Sequence, residues 1–304
     1  MTERAAPVSG PVRVRVPASS ANLGPGYDAL GLALGHHDVL TAEVVDGPGP
    51  QIVVEGEGVD DVPLDTTHLV HRSMVRGFEL LGLPVPAVRL HCCNAIPHGR
   101  GMGSSSAAIV GGLAVARALA GAAGERLDDD RLFEVAAEVE GHPDNVAAAV
   151  YGGLTIGYTA ADGVRAVRLD VTSAVEPVLF VPPEPLATTV ARGLLPETVP
   201  HADAAFVAGR SALLVAALTG RPDALLEATE DRLHQRYRAP VMPRSTALVE
   251  QLRDLAIPAV VSGAGPTVLA LAPPGRAAEI ATQVPAGWRV LRPGIDERGV
   301  ALLG

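Results

Sequence analysis

Apolar and basic positions alternate with a period of two over Val12-Arg13-Val14-Arg15-Val16, which predicts a half-exposed strand ended by Pro17. Apolar runs over residues 29–34, 39–45, 51–55 and 88–94 predict further strands. The spacing changes to three and four over residues 69–81, the pattern of an amphipathic helix, and an Ala-rich segment at 107–120 keeps helical apolar spacing. Residues 128–140 predict a helix whose acidic first turn suits the positive end of the helix dipole, stopping at Gly141. A short apolar helix at 146–151 and a strand at 154–158 follow. Beyond a small composition shift at 159–163, strand-like runs (164–169, 177–181, 259–262, 267–271, 288–291) mix with helical ones (202–218, 222–230, 246–255). The pattern predicts an α+β protein of two domains, 1–160 and 161–304, with no internal repeat and no low-complexity tract.

Composition narrows the class. A chain of 304 residues, 48% hydrophobic and 19% charged, has enough apolar surface for real cores. The net charge is −10 and the basic residues are scattered, so neither nucleic acid nor an anionic membrane is an expected partner. A phosphorylated substrate stays open, because a divalent cation and backbone N–H groups can supply positive charge. Cys92 and Cys93 are neighbours in a strand and therefore point to opposite faces; two thiols, not a disulfide, are expected. Residues 1–12 show no secretion signal, and the longest clean apolar run, 107–116, is too short for a bilayer, so the expected location is cytoplasmic.

The candidate chemistry centres on Ile96-Pro97-His98-Gly99-Arg100-Gly101-Met102-Gly103-Ser104-Ser105-Ser106, between a strand and a helix. Three glycines let the backbone turn freely, and a helix beginning at the serines would aim N–H groups and its dipole at one point. That is a phosphate cradle, with a tight turn carrying a serine N-cap as the lesser alternative. It is neither a P-loop nor a dinucleotide fingerprint, and it lacks the Gly-x-Ser-x-Gly elbow of a serine hydrolase. The turn-rich loop 18–28 carries one amide and one carboxylate, Asn22 and Asp28, and is a connection or a binding loop. Glu138, Glu140, His142 and Asp144 fall within seven residues, either as a solvated face or as ligands. A cradle needs a divalent cation, and Mg²⁺ favours a carboxylate with a hydroxyl, a pair that Glu140 and a cradle serine could supply. Zinc fits less well, since His142 lacks a partner at ligand spacing. Arg192 and Arg238 sit among apolar and aromatic neighbours, as surface ion pairs or as two forks for a carboxylate. Residues 260–268 are a strand, a glycine loop and a strand, either a tight turn or a ligand contact.

In this order, these pieces resemble the GHMP kinases. Residues 97–105 are similar to the family's second motif, Pro-x-x-x-Gly-Leu-Gly-Ser-Ser, with Met102 in place of leucine, and Ser262-Gly263-Ala264-Gly265-Pro266-Thr267 is similar to the third. Residues 16–31 resemble the first motif of the family branch that acts on L-homoserine, with Tyr27 where phenylalanine is common; Glu140-Gly141-His142-Pro143-Asp144-Asn145 resembles the same branch. A departure is Ala148 where the family often has proline. The resemblance implies an N-terminal domain like the second domain of ribosomal protein S5 and a ferredoxin-like C-terminal domain. It implies ATP phosphates on Pro97, Gly99, Arg100, Gly101, Met102, Gly103, Ser104, Ser105 and Ser106, with Mg²⁺ held by Ser105 and Glu140. It also implies a substrate site of Asn22 and Asp28 near the amine and hydroxyl, His142 and Asp144 lining it, and Arg192 and Arg238 on the carboxylate. Asp144, Asn145, Ser105 and Glu140 would carry catalysis. The implied reaction is transfer of phosphate from ATP to the side-chain hydroxyl of L-homoserine, on the route to threonine. Another small alcohol, or binding of a metabolite without turnover, are the alternatives, and a homodimer enters by analogy alone.

Overall fold

The computed structural model describes residues 10–304; the N-terminal stretch read as free of a secretion signal lies mostly outside them. The first part of the chain runs β1 (Val12–Ala21), β2 (Leu30–Val44), β3 (Gln51–Gly56), α1 (Leu69–Leu81), β4 (Val88–Asn94), α2 (Ser104–Leu119), α3 (Asp129–Glu140), α4 (Asp144–Tyr151), β5 (Leu154–Ala160) and β6 (Gly163–Leu169). The second runs β7 (Glu176–Val181), α5 (Thr188–Gly193), α6 (His201–Thr219), α7 (Leu225–Ala228), α8 (Gln235–Arg238), α9 (Pro243–Asp254), β8 (Ala259–Val261), β9 (Val268–Ala272), α10 (Ala277–Ala281), β10 (Arg289–Leu291) and β11 (Ala301–Leu303).

Among the described residues, seven strands form the larger sheet, in the order β11-β1-β2-β4-β3, with β5 also on β2 and β6 on β5. Its inner side chains, such as Val14, Val16, Leu40, Leu90 and Cys92, pack with Met74 and Phe78 of α1 and Val110 and Leu113 of α2 in one core. Glycines let the two helices approach: a Cβ on Gly112 would lie 2.3 Å from the Val70 carbonyl oxygen. The second sheet has the order β10-β7-β9-β8, antiparallel throughout, with α9 before β8 and α10 before β10. Numbered within that unit the order is 4-1-3-2, the ferredoxin-like arrangement.

The structure revises several expectations. Pro17 does not end β1: it stands at a register shift between Pro17 and Ala18, where a bulge tolerates a residue without an N–H, and the strand continues to Ala21. The two runs at 29–34 and 39–45 are one long strand, β2, bending between its β5-paired and β4-paired halves. The expected boundary at 160/161 falls in the turn between β5 and β6, which pair from Leu154–Leu169 to Ala160–Gly163. Sheet membership therefore extends the first unit through Leu169 and returns β11 to it beside β1.

Among the described residues, α6 is the one helix long and apolar enough to cross a bilayer by length and composition. It turns Val207, Leu214, Ala217 and Leu218 inward and carries Asp203 and Arg210, each in an ion pair. Its Ser211 hydroxyl donates to the Pro25 carbonyl at 2.7 Å, fixing the loop after β1.

Candidate active site

The two sheets meet at a cavity of about 540 Å³ whose lining includes Asn22, Gly101, Gly103, Ser104, Ser105, Glu140, His142, Asp144, Asn145, Arg192, Arg238 and Gly263. Six segments far apart in sequence thus share one space. The loop at its floor is shaped by Gly99, Gly101 and Gly103, all with positive φ. At Gly103 φ is 72° and an added Cβ would lie 2.1 Å from the Ser19 Oγ, so only glycine fits there. Gly103 is also the N-cap of α2, and no side chain caps the helix. The serine N-cap considered above is therefore absent, and the first-turn amides have no intrahelical acceptor. An uncapped helix start on a cavity wall offers free amides and the positive end of its dipole to an anion.

Ser105 and Ser106 instead turn their hydroxyls to α3: they donate to the two oxygens of Glu140, at 2.6 and 2.8 Å. Glu140 closes α3 one residue before Gly141, whose φ of 89° ends the helix in the left-handed conformation. Glu138 points elsewhere, 4.0 Å from Arg76. Next, the Asp144 carboxylate, 2% exposed, accepts from the His142 Nδ1 at 3.0 Å and from the Asn145 amide at 2.7 Å, both through Oδ1. The hydrogen bond to Asp144 raises the His142 pKa against the opposing effect of burial. The Ser19 hydroxyl donates to the Asn145 Oδ1 at 2.9 Å, tying α4 to β1. The sequence contains no lysine; all 24 basic residues are arginine, so positive charge here is guanidinium or backbone N–H.

The arginines do converge. Arg192 lies on α5, and its fork donates to both oxygens of Asp28, at 2.7 and 3.1 Å, and to the Tyr27 hydroxyl at 3.0 Å. Arg238 is 1% exposed; its guanidinium donates to the His234 Nδ1 at 3.0 Å and the Gly263 carbonyl at 3.3 Å. Burial lowers the His234 pKa, so the ring is neutral: Nδ1 accepts from Arg238 and Nε2 donates to the Gly24 carbonyl at 2.8 Å. Both guanidinium carbons lie within 6 Å of the Tyr27 ring, at 5.8 and 5.5 Å.

Not every expected residue reaches the cavity. Asp28 stands behind Arg192 and does not line it. Asn22 lines it, but its amide is engaged: Nδ2 donates to the Gly263 carbonyl and Oδ1 accepts from the Asp28 amide. That side chain locks a loop in which Asn22, Leu23 and Asp28 all have positive φ. Arg100 turns to the carbonyls of Pro182, Pro183 and His98. Met102 and Ser106 are buried and shape the loop from behind, as does the buried Pro97. Gly263 and Ala264 do line the cavity, so the third glycine loop is more than a turn; the Ser262 hydroxyl reaches the Gly101 carbonyl at 2.6 Å.

A second cavity, of about 290 Å³, adjoins the first and shares Ser104 and Ser105 with it. Leu40, Val62, Pro63 and Val70 give it apolar walls, with Asp38, His68, Asn94 and His98 as polar points. Burial raises the Asp38 pKa to about 6 and lowers those of His68 and His98, leaving both imidazoles neutral. Sequence reading missed this cavity, because each segment contributes one or two unremarkable residues.

Comparison with known proteins agrees with this geometry. The family model for the GHMP kinases N terminal domain matches residues 68–153, and that for GHMP kinases C terminal matches 213–290. The chain is 54% identical to the homoserine kinase of Streptomyces coelicolor, over 96% of this chain and 94% of that one. It is 48% identical to the homoserine kinase of Leifsonia xyli, over 96% and 91%. Among solved structures, homoserine kinase from Cytophaga hutchinsonii superposes with a TM-score of 0.85 at 24% identity, covering 100% of this chain and 98% of that one. Mevalonate diphosphate decarboxylase from Staphylococcus aureus gives 0.62 at 14% identity, covering 97% and 98%, so the fold alone does not fix the chemistry. The chain belongs to the homoserine kinase branch of the GHMP kinase family.

Proposed function

We propose that this chain transfers the γ-phosphoryl group of ATP to the side-chain hydroxyl of L-homoserine, giving O-phospho-L-homoserine and ADP. One observation carries the reading: an uncapped helix N-terminus, a hydroxyl–carboxylate pair and two arginine forks all line one cavity. The names of the relatives at 48–54% identity support the choice of alcohol.

The nucleotide phosphates lie on the amides of Gly103, Ser104 and Ser105, with the nucleoside in the adjoining apolar cavity. Ser105 and Glu140 offer hard oxygen donors, which suits Mg²⁺, and the ion's contribution is neutralisation of phosphate charge. The substrate carboxylate takes a bidentate contact from Arg238 and Arg192, the latter exchanging part of its grip on Asp28. That places the substrate hydroxyl toward Asp144, which receives its proton as the oxygen attacks phosphorus and ADP leaves. Because phosphoryl transfer has a loose transition state, positioning supplies most of the rate.

A coupled ADP-release assay with L-homoserine, L-threonine, L-serine, mevalonate and galactose tests the proposal. Homoserine is expected to give the highest kcat/KM. A higher value with mevalonate or galactose reassigns the substrate, and binding of homoserine without ADP release overturns catalysis altogether.

A further inference from the structure

Outside the cavity, among the described residues, one group of side chains has the geometry of a metal centre. On the outer face of the larger sheet, His91 and Cys93 are two apart on β4, so both point the same way while Cys92 between them enters the core. Glu55 of β3 pairs directly across from Cys93. The three ligand atoms lie within 4.8 Å of one another; His91 Nε2 is 3.1 Å from the Glu55 Oε1 and 3.6 Å from the Cys93 Sγ. A single ring nitrogen can direct its one hydrogen, or its one lone pair, at only one of these two neighbours. A cation between the three would satisfy all of them together.

The two separations from His91, 3.1 and 3.6 Å, come near the size an ion would impose. Zinc bond lengths of about 2.0–2.1 Å to nitrogen and oxygen and about 2.3 Å to sulfur, at a tetrahedral angle, put ligand atoms roughly 3.4–3.6 Å apart. A carboxylate, an imidazole and a thiolate form a donor set suited to a borderline-soft divalent ion, not to Mg²⁺ or Ca²⁺. Two paired strands hold the donors more rigidly than a loop could. Burial and the Glu55 charge raise the Cys93 pKa while Arg13 lowers it; a bound dication would reverse the balance in favour of thiolate.

We propose that Glu55, His91 and Cys93 form a surface Zn²⁺ site on β3 and β4, with its fourth position open to water. Binding releases the Cys93 thiol proton to solvent, and the sulfur, the His91 Nε2 lone pair and a Glu55 oxygen each form one bond to the ion.

Cobalt is the probe. The full chain, reduced with a phosphine, stripped by chelator and titrated with Co²⁺, is expected to develop a thiolate charge-transfer band and tetrahedral visible bands saturating at one ion per chain. Zn²⁺ should then abolish them. Cys93→Ser is expected to remove the charge-transfer band, and His91→Gln or Glu55→Gln to weaken binding about tenfold or more. Zn²⁺ should also protect Cys93 from iodoacetamide, as read by mass spectrometry, and lose that protection in His91→Gln. No charge-transfer band in the native chain, an unchanged band in Cys93→Ser, or equal alkylation with and without Zn²⁺ overturns the site. Should Cys93→Ser lose its far-ultraviolet dichroism, the two other variants and the alkylation pattern decide. ADP release is expected to be unchanged in Cys93→Ser, since the thiol lies on the sheet face opposite α2.

Discussion

Asp144 is a buried carboxylate whose two protein hydrogen bonds both go to Oδ1, which leaves Oδ2 for a substrate hydroxyl. If it takes the proton, Asp144→Asn lowers kcat by about 10²-fold or more with a KM for homoserine changed less than about threefold. A loss of only about tenfold, ~1.4 kcal/mol, makes it an orienting group instead. Its partner His142 gives a pH signature. The folded-state pKa is raised by Asp144, so the stabilisation is complete below the ordinary imidazole value and disappears as pH rises through the raised one. Thermal unfolding of wild type and His142→Gln should therefore diverge in favour of wild type as pH falls from about 8 to about 6. Gly103→Ala places a Cβ against Ser19 in left-handed backbone, and a cost of about 2 kcal/mol with a raised KM for ATP is expected from melting and kinetics. Of these residues, Gly103, Glu140, His142 and Asp144 were legible as a pattern of spaced residue types. The engagement of Asn22 was not, because its acceptor, Gly263, lies 241 positions away.

At the scale of elements, the site is a joint between helix ends. The start of α2 and the end of α3 are pinned by Ser105, Ser106 and Glu140. Ser106→Ala removes one support but leaves Ser105, and should raise the KM for MgATP about threefold with kcat held. Glu140→Gln changes a charge at the proposed cation site itself and should lower kcat about 10²-fold or more. A titration of activity against Mg²⁺ separates the two. Sequence periodicity located α1 and β4 closely, since each has a long amphipathic signal. It missed α5, whose six residues are too few to show a helical period and which is ordered by tertiary contacts. Pro17 misled because its meaning depends on a bulge set by the partner strand.

For the whole molecule, the final segment matters most. Asp296 is 7% exposed, contacts His37 at 2.6 Å and Arg15 at 3.5 Å, and accepts from the amides of Arg298 and Gly299. Burial alone would raise its pKa, but His37 and the backbone amides of Arg298 and Gly299 together hold it below the ordinary value. Its stabilisation is thus present above the unfolded carboxylate pKa and lost as pH falls through the depressed one. Asp296→Asn should cost about 2 kcal/mol in urea at neutral pH, a difference that shrinks below about pH 4. The composition shift at 159–163 suggested two consecutive domains. What it could not show was that the chain comes back, because a three-residue strand such as β11 has almost no pattern of its own.

That return has a consequence for how the protein is born. The outer edge of β1 is covered by residues 301–303, which are made only after the whole ferredoxin-like unit has been synthesised. The ferredoxin-like unit can close on itself while translation continues, since all its strands lie between β7 and β10. The larger sheet must wait with the outer edge of β1 unpaired, exposed to other nascent chains, until β11 is added.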